Sequence, residues 1–246
     1  MNGADQEFFT DTGALIPGAA RVSALLGRCV KSVGPEPGTA ELAASLALGD
    51  RETLLLHIRR ATFGDKLEPV VRCPSPNCGQ PMDAPMSVTA LLPVPPEASL
   101  PEYQECVSKP DGRRLRFRLP TGTDQEAVAD LAQKDPIQAA RILASRCADG
   151  AELNAAEVEQ LGEAMAALDP YADLRLSLQC PDCGQAFMSL FDTGAYLFEE
   201  TLLRSPRLYE EVHTLAFYYH WSEAEILALP ATKRRCYLEL LQRALG

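Results

Sequence analysis

Two short stretches carry the residues best suited to chemistry: CPSPNCGQ at 73–80 and CPDCGQ at 180–185. Each places two thiols on a tight turn, and each closes with Cys-Gly-Gln. Two thiolates on one turn can grip a Zn²⁺ ion at about 2.3 Å each, and that ion takes four ligands in a tetrahedron. Cys73, Cys78, Cys180 and Cys183 supply that set. The two pairs lie much further apart in sequence than the ~15–20 residues that separate the pairs of an ordinary zinc ribbon. The expected arrangement is one zinc-ribbon-like site per chain that pins two distant β-hairpins together. With all four positions filled by cysteine, no coordination position is open to water, so such a zinc is structural. Two other readings compete: four ordinary reduced cysteines, or a redox Cys-x-x-Cys. The redox motif usually starts a helix in a βαβ unit, whereas strand-like sequence flanks both turns here.

The remaining chemistry is sparse. Cys29, Cys147 and Cys236 fall in helical stretches and Cys106 in a strand, where a free cysteine behaves as a small hydrophobe. The three histidines, His57, His213 and His220, belong to no HExxH and lie beside no nucleophile. GxSxG, GxxxxGK[ST] and GxGxxG do not occur, and no carboxylate pair stands out by spacing. A non-enzymatic protein is expected.

The chain has 246 residues, 46% apolar and 23% charged, with a formal charge of −11. Those are ordinary globular values, and the negative charge disfavours a nucleic-acid or anionic-membrane surface. The N-terminus, MNGADQEFFTDTG, has neither a basic region nor an apolar core of a signal peptide. No apolar run approaches the ~20 residues of a membrane span. A cytoplasmic setting follows, in which paired cysteines favour metal over disulfides.

The elements that must position the cysteines are legible in outline. Residues 1–36, rich in Gly and Pro, read as an extended arm with at most one short helix, Ala20 to Cys29. Thr39–Leu48 and Glu52–Phe63 read as helices joined by a Gly49–Asp50 turn, with Arg51, Arg59 and Arg60 on the polar side. LEPVVRC and QPMDAPMSV flank the first Cys turn as strands, and the Pro-rich ALLPVPPEASLPE is a connector. YQECVSK and RRLRFRL form a hairpin about PDG. In its second strand Leu115, Phe117 and Leu119 alternate with Arg114, Arg116 and Arg118.

Residues 121–169 are helical, with Thr123 and Glu126 as a capping box and Pro136 and Asn154 near later helix starts. ADLRLSLQC and QAFMSLFD flank the second Cys turn. The last 55 residues are helical by pattern: Pro206 is expected to split Thr193–Tyr219 in two, Ser222 and Glu225 form a cap, Trp221 staples onto Ile226, and ATKRRCYLELLQRAL closes the chain. The fold class is therefore α+β: a zinc-ribbon-like pair of β-hairpins, an inserted hairpin and helical block, and a C-terminal helical region. The expected organisation is an arm over 1–36 and one zinc-stapled domain over 37–246, made of stretches 37–92, 93–170, 171–192 and 193–246.

RRATFGDKLEPVVRCPSPNCG, RFRLPTGTDQEAVA, LRLSLQCPDCGQAF and EVHTLAFYYHWSEAEILALPATKRRCYLELL together resemble the T4-type baseplate hub assembly protein family. That family occurs in contractile phages and phage-tail-like contractile injection systems, and the resemblance runs over residues 45 to 245. It implies an assembly chaperone or minor component at the baseplate hub, binding hub or tape-measure proteins, with no reaction of its own. Phage members often lack some of these cysteines, so the zinc expectation rests on the residues here. Leu215, Phe217, Tyr218 and Leu238 are expected to present part of the binding surface. The alternative is a zinc-ribbon nucleic-acid-binding or regulatory protein that uses the arginine strand.

Overall fold

The computed structural model describes residues 1–92, 102–109 and 112–245. Residues 93–101 of the Pro-rich connector expected over 90–102, and the centre of the PDG turn, lie outside the described residues.

Residues 1–36 do not form an extended arm. Helix α1 (Gly3–Thr12) starts at an Asn2 cap, where Asp5 N donates to Asn2 Oδ1 at 2.8 Å and Asn2 N donates to Asp5 Oδ2 at 3.0 Å. A 3₁₀ turn (Gly13–Leu15) leads to α2 (Gly18–Cys29). Phe9, Leu25 and Leu26 are buried with Ala43, Leu55, Ile58, Leu197 and Phe198. Burying those large side chains holds two short helices that would be marginal alone. A minimal hairpin, β1 (Ser32–Val33) with β2 (Glu36–Pro37), follows.

The next two helices are α3 (Ala40–Ser45) and α4 (Leu48–Phe63). Gly49 and Asp50 are not a turn; they form the first turn of α4, and the break falls at Leu46–Ala47. Gly49 N is satisfied by Asp169 Oδ2 at 2.9 Å. The expected polar side of α4 is also partly interior. Arg51 and Arg59 are 1% and 2% exposed. Arg51 donates to Ser23 Oγ and to the Ala43 carbonyl, and Arg59 grips both oxygens of Glu200 at 2.9 and 2.8 Å. Helices cover α4 on more than one side, so its guanidinium groups find partners inside the protein.

The first Cys turn tops a ladder in two segments. β3 (Lys66–Leu67) pairs with β6 (Met86–Ser87), and β4 (Val70–Arg72) pairs with β5 (Pro81–Asp83), both antiparallel. A single turn, α5 (Val88–Leu91), follows. The inserted hairpin is β7 (Gln104–Val107) with β8 (Arg114–Phe117). Its Leu115 and Phe117 are buried against α7 (Pro136–Cys147) and α8 (Ala155–Leu168), which follow α6 (Gly122–Lys134). The cap of α6 is Thr121 with Asp124, two residues before the expected Thr123 and Glu126.

The second Cys turn joins β9 (Arg175–Gln179) to β10 (Ala186–Leu190), antiparallel, with Phe187 opposite Leu178. One cluster of Leu56, Leu67, Val88, Leu174 and Phe191 ties the bases of both Cys hairpins to α4. Helix α9 (Thr193–Tyr219) runs unbroken through Pro206. Leu197, Phe198 and Thr201 are buried before the proline and Leu208, Val212 and Leu215 after it, so packing on both sides carries the helix across one lost hydrogen bond. α9 ends at His220 in the left-handed conformation, φ 56°. Then come α10 (Glu223–Leu227), with the expected Ser222–Glu225 box, and α11 (Ala231–Leu245). Trp221 stacks on Tyr219 at 4.8 Å, meets Tyr237 edge-on at 4.9 Å, and packs on the cluster that holds Ile226. Helices with small antiparallel sheets give the expected α+β class.

Candidate metal centre

The two Cys turns are built alike. In each, the first cysteine donates its N–H to the closing glutamine carbonyl: Cys73 to Gln80 at 3.0 Å and Cys180 to Gln185 at 2.9 Å. Gly79 and Gly184 sit at φ 62° and 75°, where a side chain is strained. The repeated Cys-Gly-Gln is thus a backbone device that turns both thiols of each pair the same way.

The turns bring all four sulfurs to one point. Every Sγ of Cys73, Cys78, Cys180 and Cys183 lies within 4.8 Å of the others. The Cys73–Cys183 separation is 3.6 Å and the Cys78–Cys180 separation is 3.7 Å. Those values exclude a disulfide, whose sulfurs sit near 2.05 Å. They match the edge of a tetrahedron about a metal with bonds of about 2.3 Å, which is roughly 3.8 Å. Cys73 and Cys180 are buried and Cys183 is exposed. The residues fit a metal ion, and soft thiolates favour zinc, copper(I) or iron.

Electrostatics agree with the geometry. The Cys183 backbone N–H does most to bring Cys180 down to about 7, against the cost of its burial. Cys73 accepts a backbone hydrogen bond from Ser75 that lowers it, but burial and the neighbouring sulfurs push it up to about 12. Cys78 is raised as well. Cys180 is thus the thiol most readily ionised of these three, while Cys73 and Cys78 are held protonated by burial and by their neighbours. Of the other cysteines, Cys29 and Cys147 are lifted by burial to about 11, and Cys236 stands exposed. Among the described residues, no other group of three or more His, Cys, Asp or Glu converges in this way.

The arginine strand is engaged with its neighbours. Arg114 lies 3.7 Å from Glu105, Arg116 stacks 3.9 Å over Tyr103, and Arg118 pairs with Asp124 at 2.6 Å. Asp124 also meets Arg146 at 3.0 Å, and its carboxyl is held well below the usual range. That ionic node was missed in the sequence because Arg118, Asp124 and Arg146 come from three separate elements. Of the expected binding residues, Phe217 and Tyr218 are exposed, Leu238 is partly buried, and Leu215 is a core residue at 0% exposure. Leu202, Leu203 and Tyr209, also on α9, are exposed as well, as are Leu15 and Ile137 elsewhere.

The fold and site define an α+β protein whose sequence-distant hairpins converge on four cysteines able to hold one metal ion. A model of the family described as T4 bacteriophage base plate protein matches residues 20–197. The chain belongs to that family. The match reaches back into α2, which the expected span of 45 to 245 left out, and it stops before most of α9. Searches of curated proteins and of solved structures returned no match. Membership makes the chain a phage baseplate-related component that interacts with other baseplate components. Among the described residues, no helix is long and apolar enough to cross a membrane.

Proposed function

We propose that this chain is an assembly factor or minor hub component of a contractile tail baseplate, acting by protein–protein binding rather than by catalysis. The observation that carries the proposal is the family match over 20–197. Two features give it physical form. The four-cysteine cluster holds one structural zinc, which closes the long loop between Cys78 and Cys180 and fixes the base of α9 through the Leu174–Phe191 cluster. On α9, Leu203 is 76% and Phe217 66% exposed, and Tyr218 lies edge-on to Phe217 at 5.1 Å. Exposed aromatic and aliphatic groups of this kind anchor protein interfaces. The partners are hub or tape-measure proteins, met in the cytoplasm of the producing cell.

Co-expression with the hub and tape-measure proteins of its own gene cluster tests this. A stable complex should co-purify, and Phe217→Glu with Tyr218→Glu should abolish it while the metal content and the fold persist. Failure to bind any tail protein, with salt-sensitive retention on DNA or RNA instead, would support the nucleic-acid alternative. The engagement of Arg114, Arg116 and Arg118 with neighbouring groups weighs against that alternative.

A further inference from the structure

A cleft of about 290 Å³ lies between α2, α4 and the first turn of α9. Ligand pockets usually span about 300–1,000 Å³, so this one suits a single long side chain better than a nucleotide. Its charged lining is Arg21, Arg51, Glu52, Asp173 and Asp192. Both arginines are engaged inside the protein. Arg21 donates Nε and Nη2 to the Ile16 carbonyl and lies 5.0 Å over the Phe198 ring. Arg51 serves Ser23, Ala43 and Ala19. Asp192 caps α9 by accepting from Ala195 N, and Asp173 pairs with Arg175.

Glu52 is different. Its Oε2 is buried without a hydrogen-bond partner, and so is Oγ1 of neighbouring Thr193. Burial raises the Glu52 carboxyl to about 7; the Thr193 hydroxyl and N–H lie near enough to oppose that rise, although the hydroxyl makes no hydrogen bond of ordinary geometry. A buried acceptor without a donor is a standing cost to the fold, and a donor entering the cleft would remove it once the carboxyl turned outward to meet it.

We infer that this cleft receives the cationic side chain, lysine or arginine, of a partner protein segment, with Glu52 as the buried counter-charge and Asp173 and Asp192 as exposed ones. That the cation is carried by a protein rests on the proposed binding role; its recognition by Glu52 does not. The second Cys hairpin reaches the same place, since Leu174 and Leu190 at its open end also line the cleft. A metal held at the Cys turns would therefore brace one wall of the cleft.

The test uses the metal-loaded full chain and N-acetyl-lysine N-methylamide, with N-acetyl-norleucine N-methylamide as the neutral comparison. Methyl NMR signals of Val22, Leu174 and Ala195 report on the cleft. The lysine probe should give saturable shifts, and the norleucine probe should bind at least tenfold more weakly. Glu52→Gln should weaken the lysine probe by at least tenfold, and Ala195→Leu, which fills the cleft without touching the carboxylate, should abolish its binding. In the complex with tail proteins, Glu52→Gln should cost at least tenfold in affinity. Absent shifts, equal shifts from both probes, or indifference to Glu52→Gln would overturn the inference, as would saturable shifts with magnesium chloride alone. A bound lysine probe without any tail complex would leave the cation site standing and sink the baseplate role. A complex broken by Phe217→Glu but untouched by Glu52→Gln would do the reverse.

Discussion

Single residues fix where charge can sit inside this protein. Asp124 is 1% exposed and takes Arg118, Arg146 and the Thr121 cap. Its folded pKa is depressed, so its stabilisation is present above the unfolded value of about 3.9 and is lost as pH falls through the folded value. Asp124→Asn should cost about 3 kcal/mol at neutral pH by leaving two guanidinium groups without their anion, and urea unfolding of variant and parent should draw together only as pH falls well below the usual carboxylate range. Glu52 works in the opposite direction. Its folded pKa of about 7 exceeds the unfolded value, so its contribution is present at low pH and is lost as pH rises through 7. The groups facing it are Thr193, Asp192 and Arg51. Glu52→Gln should therefore melt above the parent at pH 8 and level with it near pH 4, as followed by circular dichroism.

At the scale of elements, caps and packing decide where helices begin and whether they continue. Ser222 and Glu225 start α10 directly after the left-handed His220, which turns the chain from α9 towards α11. Ser222→Ala should cost about 1 kcal/mol; a neutral result would mean that packing of Trp221 alone sets the turn. Pro206 interrupts the hydrogen bonds of α9 without ending it. Pro206→Ala should raise stability by about 1–3 kcal/mol, and a loss would show that α9 needs the proline's geometry.

The sequence made some of these elements plain and hid others for identifiable reasons. The Ser222 box and the Leu115–Phe117 alternation are local patterns, and local patterns survive without the fold. The cap of α6 was misplaced because Thr121–Asp124 and Thr123–Glu126 both satisfy the same rule two residues apart. Arg51 and Arg59 looked solvated because a polar stripe has the same period whether it faces water or a carboxylate such as Glu200, 141 residues away. The four cysteines were legible because ligand chemistry is written in spacing. Glu52 was not, since nothing local marks one carboxylate among many as buried.

At the scale of the whole molecule, this is a baseplate-family protein whose two Cys hairpins bring together four thiols able to hold a metal ion, with a cleft and an exposed side of α9 nearby. Core packing alone joins the hairpin bases, so the metal should add several kcal/mol by joining their tips. The most direct test is native mass spectrometry of the purified chain, run beside Cys180→Ser with a thermal melt of each. One zinc per chain in the parent, none in the variant, and a clear drop in melting temperature for the variant are the predicted results. A metal-free parent whose four thiols react freely without denaturant, or a variant that melts with the parent, would contradict the account.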